Sequence, residues 1–383
     1  MNTIHYFDYN ATAPLKNNIL EEMKYFLENE FGNPSSNHQL GLNARKAIIK
    51  ARKNVAAVIN SQPENIIFTS GATESNEIAI KGACLKRAKR KGHIITNKIE
   101  HSSVHGIIDY LVNHHEYEVS YLPVNEFGVV NVADLDSLIQ ENTVMICVMY
   151  INNETGSIQP IEELGQVSSN LGIHFHCDAV QAFGKVPIDI NRMMFDTLTF
   201  SSHKLGGPKG IGGLYVRYPQ MMEALITSGT QEFGVRAGTE NVPAIVGFGE
   251  LALDLQKEIR HIERHYKALS NYFIGLLSKS LDGWSLNVPS EYVYPSTINM
   301  NIEGCNNNAL LLALSLQNVC ISKGSACASN SKESYVLDAI GLSEEKITSS
   351  IRISFGRETL LSDIEYLVIT LTREVTKLRT LEV

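Results

Sequence analysis

From about residue 65 to 216 the chain alternates short apolar runs, at 66–68, 93–96, 144–149, 173–177, 196–200 and 211–216, with longer stretches of helical spacing. Within each run hydrophobicity is continuous rather than alternating. This predicts strands covered on both faces, hence a mostly parallel sheet between helix layers. Beyond about residue 250 a long charged helical stretch leads to a smaller α/β unit. The first fifteen residues are expected to pack against that unit, and 361–378 reads as an amphipathic helix. The expected division is a large domain over 16–250 and a small one from 1–15 and 251–383. No internal repeat or low-complexity tract interrupts it.

Parallel sheets collect ligands at the carboxyl ends of their strands, and polar residues stand just after several of these runs. Ser201-Ser202-His203-Lys204 follows the run at 196–200 and precedes the glycine-rich stretch 205–213. A lysine placed there among hydroxyls suits an amine that forms a Schiff base with pyridoxal phosphate. Asp178 closes its own run and can hold a pyridine nitrogen protonated. Residues 66–76 read as strand, turn and helix. Thr73 at that helix start is a candidate phosphate donor, because free N–H groups and the helix dipole favour an anion. His101, after the strand at 93–96, can stack on a flat cofactor. Each residue also has an ordinary reading. Lys204 fits a turn, Asp178 and Thr73 fit helix caps, and His101 with His105 has the spacing of a metal pair whose third ligand the sequence does not supply.

Composition narrows the class. The 383 residues are 44% hydrophobic and 19% charged, enough for two real cores. A net charge of −8 argues against direct nucleic-acid binding, and the basic cluster at 86–91 reads as a solvated helix end. No run approaches the ~20 apolar residues of a membrane span, and the start lacks the pattern of a signal peptide. Six unpaired-looking cysteines indicate a reducing, cytoplasmic setting.

In order along the chain, 8–14, 31–38, 69–75, 152–156, the Lys204 segment, 236–241 and 324–327 resemble the cysteine desulfurases of the NifS and IscS type, from about residue 5 to 370. The resemblance implies an α/β enzyme of fold-type I with pyridoxal 5'-phosphate as cofactor and no metal. It implies that Ala72, Thr73, Ser201 and His203 hold the phosphate and that Thr239 reaches in from the second subunit of a homodimer. Gln181 and Asn153 lie near the ring hydroxyl, Asp178 at the ring nitrogen and His101 on the ring face. Arg352, with Asn153, takes the substrate carboxylate, a task that favours a planar charged fork over a lysine. Lys204 then moves the α-proton of L-cysteine. Cys327 attacks the substrate sulfur, keeping it as a persulfide while alanine leaves. A sulfur-acceptor protein completes the cycle, with iron–sulfur cluster assembly the first expectation and tRNA thiolation or DNA phosphorothioation as further destinations.

Cys327 lies among Gly, Ser and Ala, surroundings that leave a thiol reachable, whereas Cys84, Cys147, Cys177, Cys305 and Cys320 fit inert structural positions. Other pyridoxal-phosphate enzymes, an aminotransferase or a selenocysteine lyase, would share Asp178 and Lys204 without needing that thiol. The chain departs from the family pattern at Gly206, where tyrosine is common, at Phe233, where arginine is common, and at Lys323, where serine is usual. A cation at 323 would favour a nearby thiolate.

Overall fold

The computed structural model describes residues 3–324 and 334–381. Twelve strands are described: β1 (His5–Tyr6), β2 (Ile66–Thr69), β3 (His93–Thr96), β4 (Glu118–Tyr121), β5 (Thr143–Cys147), β6 (His174–Asp178), β7 (Thr197–Ser201), β8 (Gly212–Val216), β9 (Trp284–Leu286), β10 (Thr297–Ile302), β11 (Val319–Cys320) and β12 (Ser350–Ser354). Seven form one sheet in the order β2-β8-β7-β6-β5-β3-β4. The apolar runs are its buried strands, and β2, β3, β6, β7 and β8 have no exposed position.

Two features differ from the sequence expectation. Strand β4 was missed because its exposed ends and half-buried centre at the sheet edge carry little hydrophobic signal. Strand β8 runs antiparallel to both β7 and β2. The link from β7 to β8, residues 202–211, is too short for the crossover of a dozen or more residues that a parallel return requires. Since β8 opposes both neighbours, β2 still points the same way as β7. The carboxyl ends of β2, β3, β5, β6 and β7 therefore share one edge of the sheet.

Helices cover both faces. Those used below are α1 (Asn17–Glu28), α2 (Gln39–Val58), α3 (Ala72–Arg87) and α4 (Ser102–His115). The 39-residue helix Val242–Ser280 carries Phe248 and Leu251 into the same core as β7. There Phe183 and Phe200 stack at 4.3 Å, and each meets Phe248 edge-on at 6.0 Å. Such offset and edge contacts add to the burial of large apolar surface. The cluster fixes the end of β7, from which the turn carrying Lys204 departs.

A second, three-stranded sheet orders β12-β10-β9, all antiparallel, and β1 pairs with β11 in parallel. The N-terminal segment thus packs against the C-terminal unit, as its position in the sequence implied. Ser354 N donates to Phe7 O, and an isolated bridge joins Asp8 to Ser354. Among the described residues no helix is long and apolar enough to cross a membrane.

Candidate active site

The shared sheet edge opens into a cavity of about 580 Å³. Ala72, Thr73, His101, Asn153, Asp178, Gln181, Ser201, His203, Lys204 and Arg352 all line it. Thr239 does not line it and is exposed in the segment after Arg236. Cys327 lies outside the described residues.

Asp178 is the last residue of β6 and is 5% exposed. Its Oδ2 accepts from Asn76 Nδ2 at 2.9 Å and its Oδ1 from Val180 N at 3.0 Å. Among the described residues no cation pairs with it. A buried carboxylate held only by neutral donors is incomplete without a positive partner, and a protonated pyridine nitrogen supplies one.

The start of α3 has the features of an anion cradle. Gly71, at its N-cap, offers no side-chain cap, and the first helical backbone bond is Ser75 N to Gly71 O. The N–H groups of Ala72 and Thr73 are thereby left to the cavity. Glu74 turns aside to Ser70 N–H and to Arg236 Nε at 3.0 Å. Burial opposes its charge, yet those donors hold its carboxyl below the ordinary value. Gly212 is needed close by, because a Cβ there would lie 2.7 Å from the Gly71 backbone. Across the cavity the buried Ser201 Oγ has no hydrogen-bond partner. His203 Nδ1 meets Thr12 Oγ1 at 3.1 Å, and burial, reinforced by Lys204 and Lys209, pushes its pKa down to about 4. The open N–H groups and the unpartnered hydroxyl fit a phosphate.

Lys204 sits in the short turn His203–Leu205 and donates from Nζ to Asn10 O at 2.7 Å and Ala11 O at 2.9 Å. His101 is the N-cap of α4. Its Nδ1 accepts from Ser103 N at 3.2 Å and lies 2.8 Å from Ser103 Oγ. This bonding assigns the proton of the neutral ring to Nε2. His105, the other half of the metal alternative, instead packs edge-on against Tyr335 at 5.7 Å. Among the described residues no group of three or more potential ligands gathers for a metal.

Arg352 lies in β12 and is 1% exposed. Nη1 donates to Asn153 O at 2.9 Å and Nη2 to Asp8 Oδ1 at 2.6 Å, while the buried Nε has no partner. The backbone of Arg352 also exchanges two bonds with Ser322, five residues before Cys327. On the far side of the cysteine segment, Ser334 Oγ donates to Glu154 Oε2 at 2.5 Å. Both roots of that segment are thus tied beside cavity residues, one at Arg352 and the other next to Asn153. Lys323 donates to Asn308 Oδ1 at 3.1 Å. The thiols of Cys84, Cys147 and Cys177 are pushed up by burial, and that of Cys320 by burial and then Asp8. None of these four is set up as a thiolate.

Three polar residues that sequence reasoning passed over organise the site. Asn76 Nδ2 bonds Asp178 and, at 3.0 Å, Ser103 Oγ, so a single amide links the carboxylate to the imidazole of His101. Asn76 Oδ1 faces His176 Nε2 at 3.2 Å. Asn10 receives Gln181 Nε2 at 3.0 Å as well as Lys204, and donates to Thr297 Oγ1 at 2.9 Å. Asp8 is the counter-ion of Arg352. Asn10 and Asp8 fall in the 8–14 motif, and Asn76 ends the α3 motif. Their signal was the motif itself, but their partners lie about 100 to 350 residues away.

Behind Asp178 the buried ring of His176 is held neutral. Burial pushes its pKa from 6.5 down to about 4 despite Asp178, and burial pushes His174 well down too. The unfolded chain takes up protons at these rings that the folded chain refuses. Their contribution to stability is therefore complete above pH 6.5 and is lost as pH falls towards about 4. We predict a melting temperature that drops steeply across this window, and His176→Gln should flatten the drop. Equal slopes for wild type and variant would contradict it.

Residues 5–367 match the aminotransferase class-V family. The chain is 41% identical to the cysteine desulfurase IscS of Dictyoglomus turgidum, over 98% of this chain and 95% of that protein. Among solved structures it is similar to a NifS-like protein, with a TM-score of 0.91 and 33% identity over 98% of this chain and all (100%) of the other. It is also similar to SspA in complex with cysteine, with a TM-score of 0.83 and 37% identity over 94% and 100%.

Proposed function

We propose, since this chain belongs to the aminotransferase class-V family and is a pyridoxal-phosphate-dependent cysteine desulfurase, that the cavity at the sheet edge is its active site and Cys327 its sulfur carrier. The observation that carries this reading is the convergence of Asp178, Lys204, His101, the α3 N-terminus and Arg352 on one cavity. Ala72, Thr73, Ser201 and His203 would hold the phosphate, with Thr239 donated by a second copy in a homodimer. Asp178 would face the pyridine nitrogen, His101 the ring, and Gln181 and Asn153 the ring hydroxyl. When bound, the cofactor supplies an electron sink next to the substrate's α-carbon.

The chain's own groups do the rest. Lys204 Nζ would anchor the cofactor and would carry the α-proton of L-cysteine. Arg352 holds the carboxylate, so that the β-carbon and its sulfur face the cysteine segment rooted at Ser322 and Ser334. Cys327 Sγ attacks the substrate sulfur. The carbon–sulfur bond breaks as the sulfur–sulfur bond forms, and L-cysteine plus the thiol give alanine plus a persulfide. The sulfur passes to an acceptor protein. Iron–sulfur cluster assembly is the destination that the name of the IscS relative favours, and the proposed setting is cytoplasmic. The same reading divides the chain into a cofactor-holding large domain, 16–250, and a small domain of 1–15 and 251–383 that bears Cys327 and Arg352.

Arg352→Lys tests the carboxylate assignment. A point charge cannot reproduce the planar fork, so kcat/KM for L-cysteine should fall by roughly 10–100-fold, mainly through KM. An unchanged KM would place the substrate carboxylate elsewhere.

A further inference from the structure

We propose that Lys185 is a positioning residue for Lys204: its ammonium stands beside the anchoring lysine, fixes the Gln181 amide and disfavours protonation of the Lys204 nitrogen. The inference rests on reading Lys204 as the cofactor anchor. A second cavity, of about 30 Å³, also has Lys204 in its wall. Lys204 lines both cavities, whereas Lys185 lines only the small one. Such a space has room for about one water. Two ammonium groups lining one narrow space repel each other.

Lys185 is 4% exposed and its hydrogen-bond acceptors are neutral amides. Nζ donates to Gln181 Oε1 at 2.9 Å and reaches Asn10 Oδ1 at 3.5 Å. An ammonium on Oε1 leaves Gln181 only one orientation, with Nε2 towards Asn10 O and the cavity. Asn10 therefore touches both amines, Lys185 through its side chain and Lys204 through its carbonyl.

The other charges around the small cavity do not neutralise Lys185. Lys16 is matched by Asp254 at 3.3 Å, and Arg357 by Glu258. Glu358 is exposed at the rim, and burial raises the hydroxyls of Tyr9 and Tyr266 so that they stay neutral. Burial, followed by repulsion from Lys204, Arg357 and Arg352, pushes the Lys185 pKa down to about 7. Repulsion is mutual, so a proton on Lys185 equally opposes one on Lys204.

A purely structural role for Lys185 would leave proton affinities at residue 204 untouched. The test is a pH titration of the visible absorption of the lysine-bound cofactor in wild type, Lys185→Met and Lys185→Arg. Lys185→Met should move the midpoint up by about one pH unit, a tenfold change in proton affinity. Lys185→Arg, which keeps the charge, should restore the wild-type midpoint. Midpoints that coincide in wild type and Lys185→Met would overturn the proposal. If Lys185→Met does not fold, lysine NMR of the cofactor-free wild-type chain decides. Two coupled steps with the first near neutrality support the pair, and independent steps at the ordinary lysine value overturn it. Lys204→Ala separates the two readings: a variant that kept the lysine-bound absorption would refute the anchor itself. Loss of that absorption, together with an unshifted Lys185→Met, would refute only the role of Lys185.

Discussion

Lys204→Ala should fold like the wild type yet lose covalent retention of the cofactor, and its turnover of L-cysteine should fall by at least ~10³-fold. The magnitude follows because one amine serves as both covalent anchor and proton carrier, and general acid–base transfer alone typically contributes ~10²–10⁴-fold. Stability should change little. Lys204 is only partly buried, and its Nζ bonds to backbone carbonyls of Asn10 and Ala11, which water can satisfy once the side chain is gone. Borohydride reduction followed by peptide mass spectrometry checks the claim. The cofactor should be fixed on the peptide containing residue 204 in wild type and on no peptide in the variant. Recovery of fixed cofactor at another lysine would move the anchor.

Cys327→Ser should separate substrate binding from sulfur transfer. Arg352, Asp178 and Lys204 are untouched, so adding L-cysteine should still perturb the cofactor spectrum with a similar half-saturation concentration. Release of alanine should nevertheless fall by roughly 10³-fold, because a hydroxyl near its ordinary pKa is a poor nucleophile towards sulfur. An aminotransferase using the same cavity would be indifferent to the substitution. The contrast with Cys320 is a control. Cys320 pairs in strand β11 with β1, and burial and Asp8 keep its thiol protonated, so Cys320→Ser should retain most of the activity.

The legible parts of this chain are those encoded locally. Continuous apolar runs gave the strands, and polar residues shortly after most of the runs marked the cavity wall, because the carboxyl ends of the parallel strands share one edge of the sheet. Asp178 closes its strand as expected, while β7 runs one residue further than expected, to Ser201, and α3 opens at Ala72, one residue before the expected Thr73. What escaped was non-local. The direction of β8 depends on the length of the turn that also bears Lys204. The pairing of Asp8 with Arg352 joins residues 344 apart. Asn76, Asn10 and Lys185 each look like an ordinary polar position in sequence, and only burial turns their hydrogen bonds into obligations. Gly206 shows a local departure with a local cause. Its φ of +92° and the carbonyl of Pro14, 3.2 Å from where a Cβ would stand, make this backbone unfavourable for a side chain.

The central claim is that a thiol held on the segment rooted at Ser322 and Ser334 receives the sulfur of a substrate bound by Arg352 and Lys204. The most direct test is a single-turnover reaction of the cofactor-loaded enzyme with L-cysteine in the absence of any acceptor. Alanine is quantified, and the extra sulfur atom is located by peptide mass spectrometry after trapping with an alkylating reagent. The account predicts one alanine per active site and a matching persulfide on Cys327. A 2-oxo acid in place of alanine, or alanine formed with the added sulfur on a different cysteine, would contradict it.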